Sequence, residues 1–184
     1  VDWNAFEAAW HEQGCRALAT LATAHPDERV YAAAFHLFYG DGVQILPPAL
    51  AANAESAVDD ADGCSTRFAA PEWRWPVLDA ATEAMRPWYH RLTDEFLAAA
   101  RTDAEQLTAM AALEAAHDTA MAAVCRAITT SVRQDGVHPL LPPDFVVLVL
   151  EPQRDDQAGL LRASVDPHIL ATVPALTDFL AEIE

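Results

Sequence analysis

Apolar positions recur at helical spacing along the first segment. Trp3, Phe6, Trp10, Ala17, Leu18 and Leu21 fall near one face and predict an amphipathic helix from about Asp2 to Ala24. Gly14 lies inside that stripe and would allow close packing. His25-Pro26-Asp27 ends the helix, because proline disfavours a helical residue before it. The period then changes. In Val30 to Tyr39, Tyr31, Phe35, Leu37 and Tyr39 alternate with Val30, His36 and Phe38, so both faces carry apolar groups and a central strand is predicted. Gly40-Asp41-Gly42 predicts a hairpin turn, with Val43 to Leu46 returning antiparallel. Pro47-Pro48 would end the pairing, since proline cannot donate to a ladder. Asn53 predicts the cap of a short helix through about Val58.

Asp59-Asp60-Ala61-Asp62-Gly63 reads as an exposed loop. Pro76 suits the first turn of a helix over about Val77 to Ala100, with Leu78, Ala81, Met85, Trp88, Leu92 and Phe96 inward. Pro87 should kink or split that helix. A second long helix is predicted from about Asp103 to Arg133. Leu107, Met110, His117, Met121, Val124, Ile128 and Val132 form its stripe, and Gly136 is the predicted C-terminal cap. Phe145 to Leu150 is an apolar run of strand length and predicts a buried strand, with Leu160 to Val165 as its partner. The second half of the tail, Asp166 to Glu184, reads as helix. Strands come in pairs and helices in runs. That order predicts one α+β domain over residues 1–184, with an antiparallel or mixed sheet of about four strands packed against several helices.

Composition narrows the chemistry. The net charge is −17, from 28 acidic and 11 basic residues, and no lysine occurs. An acidic surface repels nucleic acid and anionic membrane and attracts basic partners. Without lysine there is neither a Walker lysine nor a Schiff-base lysine. Gly40-x-Gly42 leads into a strand rather than a helix, so it cannot cradle phosphate. Cys15, Cys64 and Cys125 are odd in number and widely spaced, so a reducing compartment is expected, and Cys125 reads as core. No membrane span and no secretory leader is visible, and a cytoplasmic location is the expectation.

Catalytic signatures are absent. No G-x-S-x-G surrounds Ser56, Ser65, Ser131 or Ser164. Cys64 is the best-placed cysteine nucleophile, but no histidine lies beside it in sequence. Glu114-x-x-His117 has the spacing of a di-iron helix but occurs once, and His117 falls on the apolar stripe, where it reads as a core histidine. Asp60-x-Asp62-Gly63 lacks the outer ligands of a calcium loop. No catalytic residue, metal or cofactor is therefore assigned. The densest oddity is Glu72-Trp73-Arg74-Trp75, because tryptophan and arginine are enriched in binding hot spots. Both tryptophans would otherwise anchor the following helix to the sheet.

The strand Val30 to Tyr39 with its Gly-Asp turn, the stretch from Leu46-Pro47-Pro48-Ala49 to Asn53-Ala54-Glu55, Glu72-Trp73 and the late strand with Leu161 to Pro167 together resemble a bacterial family, domain of unknown function 4303. In that family pattern the asparagine follows the proline more closely than Asn53 follows Pro48 here. The resemblance implies no reaction or cofactor. Its relatives resemble small proteins encoded near bacterial toxins, which implies an immunity-type role.

The expectation is thus a non-catalytic acidic protein-binding protein that covers a basic protein partner, such as a toxin surface. Its expected contacts are Asp59, Asp60, Asp62, Glu72, Trp73 and Arg74. The alternative is a small enzyme with a pocket near His36, Tyr39 and Trp73. Neither nucleic acid nor membrane is expected as a partner, and the oligomeric state is left open.

Overall fold

The computed structural model describes residues 1–36, 44–58, 67–99, 102–133 and 141–184. Helix α1, Trp3–Ala24, forms where the stripe predicts it. Asp2 caps it, accepting a hydrogen bond from the Ala5 N–H at 3.1 Å. Phe6, Trp10, Gly14, Leu18 and Leu21 are its buried line. Strand β1, Val30–His36, is buried throughout and lies at the centre of the sheet. Its last expected residues, the turn Gly40-Asp41-Gly42 and the loop Asp59–Gly63 lie outside the described residues.

The partner of β1 differs from the expectation. Over the described residues it is β2, Ala49–Ala54, while Val43 and the expected strand residues beyond His36 lie outside the described residues. Alanine favours helix in isolation, but every residue of ALAANA is buried in the sheet. Tertiary packing overrides propensity there. Pro47-Pro48 therefore precedes the pairing, and the short helix expected after Asn53 shrinks to one 3-10 turn, Glu55–Ala57. Among the described residues the sheet is three-stranded and mixed, in the order β2-β1-β3, with β3, Val146–Val149, parallel to β1.

Leu160 to Val165 is not a fourth strand. Residues Gln157–Ser164 form helix α4, because Leu160, Leu161 and Ser164 are buried together on a helical face. The free edge of β3 is satisfied by hydroxyls instead. The Val147 N–H donates to Thr129 Oγ1 at 2.9 Å, and the Val149 N–H donates to Ser164 Oγ at 3.1 Å. The free edge of β2 is covered by the chain from Trp73 to Leu78. Ala52 and Trp75 exchange backbone bonds, and the Leu78 N–H reaches the Leu50 carbonyl at 2.7 Å. Covered edges leave no template for another strand.

Helix α2, Asp79–Ala99, begins after Pro76 rather than on it, since Leu78 is held to β2. It runs through Pro87 as one helix. Pro87 and Glu83 are both exposed, so the carbonyl that loses its partner faces water. Helix α3 spans Asp103–Arg133, as expected. The tail holds two helices, α5 (Pro167–Leu170) and α6 (Pro174–Ile183). The long helices α1, α2 and α3 pack with Phe35, Leu50 and Val147 in one apolar cluster, and α4 and α6 pack with Ala34, Leu148 and Trp73 in another. The α+β class holds, with helical layers on both faces of the sheet.

Gly14 marks a close approach of α1 to α3. A Cβ there would sit 2.6 Å from Ile128 Cδ1, and Ile128 is fully buried. Gly14→Ala should gain about 1 kcal/mol in helix propensity, yet end about 1–3 kcal/mol less stable from overpacking. Ile128→Val removes the clashing methyl. The double variant should therefore be more stable than the sum of the single changes predicts, as measured by urea unfolding. Simple additivity would mean that the contact is not limiting.

Candidate functional site

Tyr31 is the organising residue of the first constellation. The register of β1 against β2 shifts between Val30 and Ala32, so Tyr31 is an extra residue, and it packs in the same cluster as Ala32. Such bulges re-aim a side chain. The Tyr31 hydroxyl donates to the Arg67 carbonyl at 2.7 Å and accepts from Asn53 Nδ2 at 3.0 Å. Trp73 Nε1 donates to the same carbonyl at 3.0 Å. Asn53 Oδ1 accepts the Arg74 N–H at 3.2 Å, so both ends of its amide are engaged. The Arg67 guanidinium lies over the Tyr31 ring, 4.0 Å from its centroid, and pairs with Glu55 at 2.7 Å. Burial is the main cause that pushes the Tyr31 phenol up to about 12, so it stays protonated. A cavity of about 210 Å³ opens between Tyr31, Glu55, Arg67, Phe68 and residues 172–175. Asp144, which also lines it, accepts two bonds from Arg29, each 2.7 Å.

Three separate stretches of chain meet in this network: Tyr31 from β1, Asn53 and Glu55 from β2 and the turn after it, and Trp73 from the covering segment. The expected contact residues divide. Asp59, Asp60 and Asp62 lie outside the described residues. Glu72 is exposed beside a hollow of about 280 Å³. Arg74 is exposed but paired with Glu28 at 2.8 Å, and it lies over the Trp75 ring. Trp73 is 3% exposed, so it supports this surface from beneath rather than presenting a face.

The second constellation was invisible in sequence. His11 Nε2 lies 2.8 Å from Ser131 Oγ and 3.7 Å from Cys15 Sγ, although Ser131 is 120 residues away along the chain. The pair borders a groove of about 510 Å³ between α1 and α3. It has the look of a nucleophile and its base, but acyl transfer also needs backbone donors for the oxyanion. Ser131 sits in the last turns of α3, where backbone N–H groups are taken by the helix. Burial pushes the Cys15 thiol up to about 11, so it is no thiolate. The groups cross-link two helices.

The third constellation is His117. Trp10 Nε1 donates to the Tyr89 oxygen at 3.1 Å, and the Tyr89 oxygen lies 2.8 Å from His117 Nε2. Indole only donates, so the Tyr89 hydroxyl proton is left to point at a bare Nε2. Burial, and then the charge of Arg154, pull His117 down to about 3. Neutral His117 is a core acceptor and not half of a metal motif with Glu114. Among the described residues no group of three or more His, Cys, Asp or Glu is placed to hold a metal ion.

His36, 2% exposed at the end of β1, donates from Nε2 to the Pro76 carbonyl at 2.9 Å. Among the described residues its Nδ1 has no hydrogen-bond partner. Burial lowers its pKa, against smaller opposing pulls from the Pro76 hydrogen bond and then from the buried Glu151. Trp73 bonds at the Tyr31 end of the strand, about 17 Å of strand length from His36. His36 and Trp73 are therefore not brought together, and Tyr39 lies outside the described residues. No described helix is long and apolar enough to cross a membrane. No family model, curated protein or solved structure matches the chain.

Proposed function

We propose that this chain is a non-catalytic protein-binding protein whose acidic surface engages a basic protein partner, in the manner of an immunity protein covering a toxin, and that it is related to domain of unknown function 4303. The carrying observation is the fate of its positive charge. Among the described residues, seven arginines, Arg16, Arg29, Arg67, Arg74, Arg86, Arg154 and Arg162, pair with carboxylates of the same chain, which has 11 arginines in all. With 28 acidic residues, most carboxylates have no arginine left to neutralise them, and the outward field is negative. Such a field speeds encounter with a basic protein and disfavours acidic ones. The polar constellations support the same reading, because they are built as internal cross-links.

Affinity capture from the source cells, identification by mass spectrometry and reconstitution with the purified partner test the proposal. The expected result is a stoichiometric basic protein whose affinity falls as salt rises, since exposed charge pairs are screened. Alanine at Asp59, Asp60, Asp62, Glu72 and Arg74 should weaken that complex. An unchanged affinity removes that patch. A partner indifferent to salt, or no stoichiometric partner at all, overturns the reading. A second reading, a small enzyme, draws on one observation: the buried His36 with its unpartnered Nδ1 near Glu151.

A further inference from the structure

Helix α3 outruns the rest of the fold. Its first buried residue is Met110, and residues 102–108 are all exposed. Leu107 is 72% exposed there, and Leu97 at the end of α2 is 54% exposed. Scattered exposed leucines need no explanation, but Leu107 is not alone on its face. Ala104, Leu107, Ala111 and Ala115 are all exposed and spaced as one helical stripe, which no described residue covers. The small side chains would let another backbone approach closely. The surroundings are acidic: between residues 94 and 114 the sequence carries five acids and one base, Arg101, which lies outside the described residues.

From this we infer that the exposed stripe of α3, together with the exposed Leu97 of α2, is the docking face for a basic amphipathic segment of a partner protein. The inference rests on the binding reading above and names its surface. Charge chooses the occupant. A second copy would bring another −17 against this face, whereas a segment with arginine or lysine flanking an apolar line would meet opposite charge and an apolar stripe together. Aliphatic anchors would bury against Leu107, and the flanking cations would face Asp94 and Asp103.

Two synthetic peptides of equal length and charge provide the test. One is an amphipathic Lys/Leu helix, and the other has its leucines replaced by glutamine and serine. The chain should bind the amphipathic peptide at least about tenfold more tightly, which corresponds to about 1.4 kcal/mol. Leu97→Ser with Leu107→Ser should abolish that preference and leave the binding of the polar peptide unchanged. Both positions are exposed, so circular dichroism should show the fold intact. Equal binding of the two peptides to the unmodified chain, or a preference that survives the double substitution, overturns the docking face while leaving the acidic-surface reading standing. Failure of both peptides to bind at low salt overturns the two together.

Discussion

Between pH 7 and pH 5 the fold is expected to lose about 2 kcal/mol at His117 alone. The folded imidazole is held down to about 3, against 6.5 for an ordinary histidine. The depressed folded value sets the sign. Above 6.5 both states are neutral there and the full stability is present. Below it the unfolded chain takes a proton that the folded chain refuses, so stability falls steadily until the folded pKa is reached. Each pH unit in that window costs about 1.4 kcal/mol. The structural reason is direct. Protonation would turn Nε2 into a donor facing a hydroxyl that already accepts from Trp10 and needs an acceptor of its own. Urea unfolding at pH 7 and pH 5 measures the effect. His117→Gln keeps an acceptor for Tyr89 but does not titrate, so it should remove about one proton's worth of slope. Equal slopes in the two proteins would show that His117 titrates normally when folded.

Asn53→Ala should cost about 3 kcal/mol, because two hydrogen bonds vanish in a buried place. The amide links the Tyr31 hydroxyl to the Arg74 backbone, and so ties β1 to the segment that covers β2. Without it the Arg74 N–H loses its acceptor. Tyr31→Phe removes the other side of one of these bonds. The two substitutions together should therefore cost less than their sum, by about 1 kcal/mol in a double-mutant cycle. A loss below about 0.5 kcal/mol for Asn53→Ala would mean that water replaces the amide, and that the network does not organise the surface.

The same residues show why legibility was uneven. Helices α1 and α3 could be read almost to the residue, because their buried positions repeat at a local period. Strand β1 could be read from its aromatic and β-branched content. Strand β2 could not, since an alanine-rich hexamer carries no strand signal of its own. Leu160 to Val165 misled for a related reason. A short apolar run suits strand and helix equally, and only the packing of α4 on β3 decides. Of the expected contacts, Trp73 is 3% exposed, because its indole is held beneath the surface by the Arg67 carbonyl. The convergence of Tyr31, Asn53, Arg67 and Trp73 had no local spacing to reveal it, nor did that of His11 with Ser131.

By itself the sequence determined the α+β class, the long helices, the central strand and the strongly negative net charge. These are sums over composition or patterns within a few turns of chain. The tertiary structure alone decided which strand pairs with β1 and how the sheet edges close. It also decided which polar groups meet and which apolar stripe stays uncovered. Each of those depends on contacts between residues far apart along the chain, whose cost in chain entropy is recovered only when the whole core forms.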